Sequence, residues 1–584
     1  MISKVALLKE RIRAAKGEVP ADLVLKEGRV VNVFSGTVQE LDVAVHGGFV
    51  VGLGTDYHGK EEADISGKWV APGLIDGHLH IESSMLLPSR LARALIPHGT
   101  TAIVSDPHEI ANVMGVAGIR FLIKESDAIP LDIFFMAPSC VPATHLETSG
   151  ARVSLSDLEA LKQEPRVLGL AEMMNYPGLL MGNSDVLEKV ILFKDKVIDG
   201  HGPSLRGHDL QAYISAGIGS DHETADPGEG QEKLESGMFL MVREGTSARN
   251  LEALLPLVND RNARRFCFVC DDLHPRDLLR RGHIDHMIRR AIQGGLDPVT
   301  AVQLGTLNPA EYFGLKHLGA VAPGYQADMV ILSDLEDFAV EKVYKQGRVV
   351  FEQGRLHGFP ADEKGSILHG PLNVESLAPD RFRIRHQGDR ARIIQTLPGQ
   401  ILTGMLLEPV KSRDGWVLSD TDRDILKLAV VERHQGSGRI GLGLINGFGL
   451  KEGALASSVA HDSHNIITVG VDDRALCSAV EGVCLMGGGM VVVRENRVVA
   501  RTPLPVAGLI STETLETLAH QLDDLNAAAA SLGCTVSEPF MVLSFLALPV
   551  IPKLKLTDRG LVDVHRFAVV PLFTDHEEGN ISAL

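Results

Sequence analysis

The stretch GLIDGHLHIESSML (73–86) starts as an apolar run and ends in polar and charged side chains. Within it, His78 and His80 are separated by one leucine, and alternate residues of a β-strand share one face. Both imidazoles are therefore expected on one face, and neutral imidazole is a common ligand for Zn, Fe, Mn and Ni. Two histidines alone are a weak signal, because solvated imidazoles at a polar strand end would give the same pattern.

Seven further apolar runs follow, and helix-compatible segments separate most of them. The eight runs are 73–78, 100–106, 132–138, 166–172, 196–201, 217–222, 237–244 and 265–271. Strands alternating with helices over about 250 residues are typical of an α/β fold with a (β/α)8 TIM-like barrel. The alternative is a doubly wound open sheet, although no glycine-rich phosphate loop follows the first strand.

Two Val-rich segments with glycine breaks, at 21–70 and 320–360, flank this pattern. We expect them to pair into a small β-sandwich domain in which the barrel is inserted. The predicted divisions are 1–70 (an N-terminal segment and the first part of the β-domain), 71–319 (a metal-dependent barrel), 320–365 (the second part of the β-domain) and 366–584 (a C-terminal α+β domain). The last region, of about 220 residues, is long enough to bury its own core.

Composition restricts the partners that the chain can have. The 584 residues include 57 Lys and Arg against 75 Asp and Glu, a net charge of −18, which disfavours binding to nucleic-acid backbones or anionic membranes. Six cysteines cannot form a disulfide scaffold at this length. Residues 1–20 lack the apolar core of a signal peptide, and no apolar run reaches the length of a membrane span. We therefore expect a cytoplasmic protein without nucleic-acid or membrane partners.

Several of the runs end in residues that can bind metal or transfer protons. Because the carboxyl ends of barrel strands converge on one mouth, residues about 200 positions apart can meet there. Four histidines and two carboxylates suffice for two divalent cations, with Glu172 as a bridge, and such a pair can share a hydroxide and lower its pKa. The predicted metal ligands are His78, His80, Glu172, His201, His222 and Asp271, and the other strand-end candidates are Asp106, His108, Glu109, Asp221, Glu223, Glu244 and Asp272.

Longer motifs add a resemblance to known proteins. APGLIDGHLHIESS (71–84) and PGYQADMVIL (323–332) resemble the entry to and the return from the barrel in the amidohydrolase superfamily. Within it, the chain resembles the bacterial-type adenine deaminase family over nearly its whole length. That closer resemblance lies in TTAIVSDPHEIANVMG (100–115), GLAEMMNYPGL (169–179), GIGSDHE (217–223), VCDDLHP (269–275), HDSHN (461–465) and FLALPVIPKLKLTDRGLVDV (545–564).

The resemblance implies how the ligands are shared. His78 and His80 would bind one metal ion with Asp271, and His201 and His222 would bind the second. Glu172 stands where many relatives carry a carboxylated lysine, which counts against dihydroorotase-, hydantoinase- and urease-like relatives. The resemblance also implies Mn or Fe, with Zn as an option, and a homo-oligomer.

The same resemblance implies the hydrolytic deamination of adenine to hypoxanthine and ammonia, in purine salvage. The substrates would be a purine base and water. A metal-bridged hydroxide would attack C6, and Asp271 would carry its proton to the leaving nitrogen. Glu223 and Glu82 are the favoured groups to protonate N1, and Glu109 is a third candidate. Glu109 and Asp272 are also expected to contact the substrate, and His108 is expected to support a ligand rather than to bind metal.

Other interpretations stay open at this point. The same metal pair could hydrolyse another cyclic amidine or amide, although Glu172 in place of lysine weakens that interpretation. A non-catalytic metal-binding scaffold is possible, and so is adenosine deamination, which the long C-terminal region disfavours. The loop HDSHN (461–465) could reach the barrel mouth and close the site, or could lie inside its own domain.

Overall fold

The middle of the chain forms a closed barrel in the computed structural model, which describes residues 4–359, 366–375, 377–398 and 400–574. Its parallel strands are β1 Leu74–Leu79, β2 Thr100–Ser105, β3 Asp132–Ala137, β4 Val167–Met173, β5 Val197–Gly200, β6 Ser220–Asp221, β7 Phe239–Arg243 and β8 Phe266–Val269. Neighbouring strands are hydrogen-bonded in order from β1 to β5, and again in order from β6 to β8. At the two seams, the Gly219 amide donates to the Ile198 carbonyl and the Asp271 amide to the His78 carbonyl, both at 2.9 Å. The predicted (β/α)8 barrel is confirmed, and the open sheet is excluded.

Helices connect the barrel strands. They include Pro88–Leu95, His108–Met114, Val116–Glu125, Leu155–Lys162, Tyr176–Leu180, Ser184–Leu192, Gly207–Ser215, Pro227–Glu235, Leu251–Leu254, Pro275–Arg281, Ile284–Gln293, Pro298–Leu304 and Leu307–Tyr312. The local sequence explains where two of these helices begin. The Asp226 side chain caps one helix by accepting a hydrogen bond from the Glu229 amide at 2.9 Å. The Asp297 side chain caps another by accepting a hydrogen bond from the Thr300 amide at 2.8 Å. In both helices a proline follows the cap, where its missing N–H costs nothing.

A nine-stranded sheet beside the barrel combines strands from both flanks of the chain. Its order is Arg355–Leu356, Arg348–Glu352, Val340–Lys345, Met329–Leu332, Trp69–Pro72, Ala21–Asn32, Thr37–His46 and Phe49–Gly54, with Gly59–Asp64 also paired to Ala21–Asn32. Val70 lies opposite Ile331, so the chain enters and leaves the barrel on neighbouring antiparallel strands. Helix Lys4–Ala15 precedes this sheet. Residues 360–365, which include the predicted domain limit at 365, lie outside the described residues.

The C-terminal region forms a second nine-stranded sheet with helices. Its strand order is Thr403–Glu408, Arg390–Thr396, Ile440–Asn446, Ile425–Val431, Ile466–Gly470, Ala454–Ser457, Gly489–Arg494 and Arg497–Pro503, with Phe573–Thr574 paired to Arg390–Thr396. Smaller sheets contain Ser412–Arg413 with Trp416–Val417, and Leu554–Thr557 with Gly560–Asp563 and Ala568–Val569. The helices are Asp473–Leu485, Leu515–Ser531 and Pro539–Phe545. The predicted α+β character is confirmed. A search of the described helices for one that could cross a bilayer finds none.

Polar contacts attach the C-terminal region to two segments of the barrel. In the loop after β3, Thr148 donates to Asp558 through its amide at 2.8 Å and its hydroxyl at 2.7 Å. The Asn465 side chain donates to the carbonyl of the same Thr148 at 2.8 Å. In helix Pro275–Arg281, Arg276 lies 2.6 Å from Asp523. The C-terminal region is therefore fixed close to the end of the barrel where the predicted ligands lie.

Candidate metal centre and active site

The residues predicted as metal ligands lie together at the carboxyl ends of the barrel strands. His78 is in β1 and Glu172 in β4, whereas the other four follow the ends of β1, β5, β6 and β8. The His80 Nε2 atom lies 3.0 Å from Asp271 Oδ1 and 3.4 Å from Glu172 Oε1. All except His201 are buried. The structure thus brings the whole predicted set into one small volume.

Glu172 lies at the centre of this group, with each carboxylate oxygen facing a different pair of histidines. Its Oε1 atom is 3.4 Å from His80 Nε2 and 3.9 Å from His78 Nε2. Its Oε2 atom is 2.6 Å from His201 Nδ1 and 3.3 Å from His222 Nε2. Burial raises the pKa of Glu172, but His222 and His201 outweigh it and hold that pKa well below the ordinary value. An ionised carboxylate between two imidazole pairs has the arrangement that a bridging ligand requires.

The donor set fits divalent cations. The Nε2 atom of His78 is buried without a hydrogen-bond partner, an arrangement that a bound cation would explain. The donor atoms of His78, His222 and Asp271 all lie within 4.8 Å of one another, as do those of Glu172, His201 and His222. The Nδ1 atom of His80 is 3.0 Å from the Asp106 carbonyl, so the proton belongs on Nδ1 and the Nε2 lone pair faces the centre. Imidazole and carboxylate ligands of this kind suit Mn, Fe and Zn.

Asp271 is held by an arginine that the sequence analysis missed. Arg243, the last residue of β7, donates to Asp271 Oδ2 at 2.5 Å and to Glu223 at 2.6 and 3.1 Å. Burial raises the pKa of Asp271, but Arg243 and the neighbouring histidines outweigh it and keep that pKa well below the ordinary value. The backbone of Asp271 is left-handed, with φ of 57°, a conformation that aspartate tolerates better than most residues. Its carboxylate is therefore ionised and fixed in direction.

The three glutamates considered for protonating N1 have different surroundings. Glu223 forms the ion pair with Arg243, and its pKa is lowered because Arg243 and His201 outweigh burial. The barrel mouth contains a small cavity, the chamber, whose wall includes His80, Glu172 and Asp271. Glu82 accepts a hydrogen bond from the Ile110 amide at 2.9 Å and does not line this chamber. Glu109 does line that chamber, and its Oε1 atom lies 3.0 Å from the Ser83 hydroxyl oxygen. Burial, Asp272 and Glu82 raise the pKa of Glu109 well above the ordinary value.

The remaining strand-end candidates divide into two groups. Asp272 lines the chamber and accepts a hydrogen bond from Ser83. His108 also lines it, with its Nδ1 atom 3.1 Å from Asp106 Oδ2 and 3.6 Å from Glu172 Oε1. Glu244 does not line the chamber, and its carboxylate lies 3.9 Å from Arg290. The inward-facing residue at that strand end is Arg243, one position earlier.

Residues from both the barrel and the C-terminal region enclose the chamber, which has a volume of about 50 Å³. The loop HDSHN reaches the barrel mouth, since His461 and Asp462 are part of the wall. His461 Nδ1 lies 3.7 Å from Glu109 Oε1. The wall residues that sequence reasoning did not identify are Arg243, Ser247, Ala248, Ile401, Phe545, Leu548 and Ile551.

A buried lysine connects the loops that carry His201 and His222. Lys233 donates to the Gly202 carbonyl at 2.7 Å, to Asp221 at 3.0 Å and to Glu229 at 2.5 Å. Asp221 also accepts from the Gly202 amide at 2.7 Å. Gly202 follows His201 and Asp221 precedes His222, so this network fixes the backbone on both sides of the pair.

Replacing Lys233 with methionine is expected to lower the free energy of unfolding by about 3–5 kcal/mol, because two buried carboxylates lose their cation. Urea unfolding followed by circular dichroism measures the change. Lys60→Met is the matched control, since Lys60 pairs with Asp22 at 2.8 Å on the surface, where solvent screens the ion pair, and its loss should change the free energy of unfolding much less. Equal losses in the two variants would contradict the role of the buried network.

Comparisons with known proteins show which families this chain is similar to. The amidohydrolase family profile matches residues 69–350, and the profile of the adenine deaminase C-terminal domain matches residues 400–568. A protein named adenine deaminase from Desulfatibacillum aliphaticivorans is 51% identical over 96% of this chain and 99% of its own length. One of the same name from Dehalococcoides mccartyi is 48% identical over 97% of this chain and 99% of its own length. A β-aspartyl dipeptidase structure from Fervidobacterium islandicum AW-1 aligns with a TM-score of 0.43 at 16% identity, over 57% of this chain and 98% of that one.

Proposed function

The chain belongs to the adenine deaminase family of amidohydrolases, and we propose on this basis that it hydrolyses adenine to hypoxanthine and ammonia, within purine salvage. The observation that carries the proposal is the position of Glu172 between two pairs of histidines, beside an Asp271 held by Arg243. A site of this kind can activate water against a carbon that carries an amino group.

Each predicted ligand has a proposed place. His78, His80 and Asp271 would hold one divalent cation, His201 and His222 the other, and Glu172 would contact both. We propose Mn or Fe, with Zn also compatible with these ligands. Such a pair of cations supplies a water molecule of lowered pKa at neutral pH.

Asp271 is the proposed proton carrier. Its ionised carboxylate can accept a proton from the nucleophile and deliver it to the amino nitrogen on C6. That delivery is needed because the nitrogen leaves as ammonia, the amide ion being too poor a leaving group. Arg243 supports this role by fixing the direction of the carboxylate, from 2.5 Å away.

Glu109 is the proposed donor of the proton to N1, in preference to Glu223 and Glu82. Glu109 lines the chamber, and its raised pKa favours the protonated acid that such a donor must be. Glu223 is ionised in its pair with Arg243, and we propose that it anchors that arginine. Glu82 lies outside the chamber wall and is proposed to support the segment around Ile110, while Asp272 is retained as a substrate contact.

This assignment predicts a pH dependence. Because the neutral acid is the active form of Glu109, kcat/KM should fall as pH rises through its raised pKa. In Glu109→Gln, kcat/KM is expected to drop about 100-fold and the alkaline decline to disappear. Rates of ammonia release between pH 6 and pH 10 measure both effects. The control is Glu82→Gln, which should keep the alkaline decline; a variant Glu109→Gln that retains it would exclude Glu109 as the donor.

The function itself is tested with purified protein loaded with Mn or Fe. The absorbance spectrum of adenine should be replaced by that of hypoxanthine, and one ammonia should be released for each base converted. Adenosine and a cyclic amide such as dihydroorotate serve as alternative substrates. Turnover of either one without turnover of adenine would contradict the proposal.

A further inference from the structure

The chamber has two chemically different sides, and one of them comes from the C-terminal region. The barrel contributes mainly histidines, carboxylates and Arg243. The C-terminal contribution is mostly apolar: Ile401, Phe545, Leu548 and Ile551, together with His461 and Asp462. A purine base has a polar edge and two flat faces without hydrogen-bonding groups, so it matches a cavity built in this way.

The aromatic part of this side is a stacked pair. The rings of His461 and Phe545 lie with centroids 4.5 Å apart and planes inclined by 14°. The His461 amide donates to the Ser544 carbonyl at 3.1 Å, which joins the loop HDSHN to the end of helix Pro539–Phe545. Both rings are buried, and burial lowers the pKa of His461 to about 4, so the imidazole is neutral at physiological pH. The two rings therefore support each other as one stacked aromatic pair on this side of the chamber.

A buried lysine holds the C-terminal side of the chamber in place. Lys555 is fully buried and donates to the Ile401 carbonyl at 2.9 Å and to the Phe545 carbonyl at 3.0 Å. In the part of the chain that the structure describes, no carboxylate forms an ion pair with it. Burying an amine without an opposite charge is costly. Its two hydrogen bonds join the segments of the wall that contain Ile401 and Phe545.

Phe545 and Ile401 also separate the chamber from a larger cavity. That cavity, of about 620 Å³, is lined by barrel residues such as Thr246 and Arg249 and by C-terminal residues such as Met541. It shares Ser247, Ile401 and Phe545 with the chamber. Binding sites for small molecules usually exceed about 300 Å³, so a chamber of about 50 Å³ admits a base only if part of its wall shifts. Ser247, Ile401 and Phe545 therefore line the boundary that a base would cross between the larger cavity and the chamber.

We propose that the C-terminal domain provides the substrate-binding wall of the active site: Phe545, stacked on His461, contacts the flat purine ring, and Lys555 is a positioning residue that holds Phe545 and Ile401 in place. This inference rests on the proposed function, since it assumes that the substrate is a purine. It assigns base binding to the C-terminal domain and the chemistry to the barrel.

Substitutions at Phe545 test the contact. Phe545→Ala should raise the KM for adenine and the inhibition constant of hypoxanthine by about 10- to 100-fold, the usual effect of losing a base-stacking aromatic ring, with kcat changed less than about threefold. Phe545→Leu keeps the bulk without the aromatic ring and should raise both constants about 10-fold, while Phe545→Tyr should stay near the wild type. Lys555→Met should also raise the KM for adenine, and the amount of metal bound per chain should stay unchanged.

Phe540→Ala is the matched control, because Phe540 lies in the same helix, is 4% exposed against 6% for Phe545, and does not line the chamber. It should leave KM and the inhibition constant unchanged. A wild-type KM in Phe545→Leu, or an equal rise in Phe540→Ala, would overturn the inference. Either result in an enzyme that deaminates adenine leaves the proposed function intact, whereas a wild-type protein that releases no ammonia from adenine contradicts the proposed function itself.

Discussion

Replacing Asp271 with asparagine is expected to reduce kcat for adenine deamination by about a thousandfold or more. The amide cannot accept a proton from the nucleophile or deliver one to the leaving nitrogen. It also loses the charge that pairs with Arg243 at 2.5 Å and that faces His80 at 3.0 Å. Ammonia release under saturating adenine measures the effect, and far-UV circular dichroism shows whether the fold is retained.

A control for Asp271→Asn is the same change at Asp285. Asp285 is also buried, but it pairs with His98 at 3.1 Å and Arg289 at 2.8 Å and does not line the chamber. Its replacement should lower stability and leave kcat within about threefold of the wild type. If a folded Asp271→Asn variant deaminates adenine at the wild-type rate, Asp271 has no part in the proton transfers.

Replacing Glu172 with glutamine is expected to abolish measurable turnover and to lower the bound metal to one ion or fewer per chain. A neutral amide offers one carbonyl oxygen where the carboxylate offers two charged oxygens, and each of these faces a different histidine pair. Metal analysis of the purified variant and its rate of ammonia release measure the two effects separately.

Glu147→Gln is the matched control for Glu172→Gln. Glu147 is similarly buried, and burial together with Asp462 raises its pKa to about 8, so the carboxyl is already neutral at pH 7. An amide should replace it with little effect on metal content or rate. Two bound ions and normal turnover in Glu172→Gln would show that this residue does not bridge the metals.

The sequence was sufficient to predict the barrel, and with it the meeting of the six candidate ligands at one mouth, because both follow from the strand pattern. Strand periodicity identified the eight barrel strands, and the rule that barrel strands share one mouth brought His201 and Asp271 beside His78. The same periodicity could have found Arg243. It lies two and four residues after Met241 and Phe239, whose side chains pack inside the barrel, whereas Glu244 lies on the other face.

The C-terminal wall could not be predicted in this way. Phe545 and Ile401 are more than 120 residues beyond Asp271, in a different domain, and no strand register relates them to the barrel. Their position depends on tertiary contacts such as those of Thr148 with Asp558 and of Arg276 with Asp523. The choice among Glu82, Glu109 and Glu223 likewise depended on partners from distant segments, above all on the pairing of Glu223 with Arg243.

We propose that four imidazoles and two carboxylates at the barrel mouth hold two divalent cations, and that the deamination of adenine depends on these cations. The most direct measurement is to remove metal with a chelator, return Mn²⁺ or Fe²⁺ in steps, and record bound metal and ammonia release from adenine together. We predict no turnover in the metal-free protein and a rate that rises until two ions are bound per chain. Full turnover in the metal-free protein, or a folded chain that binds no divalent metal, would contradict the proposed metal centre.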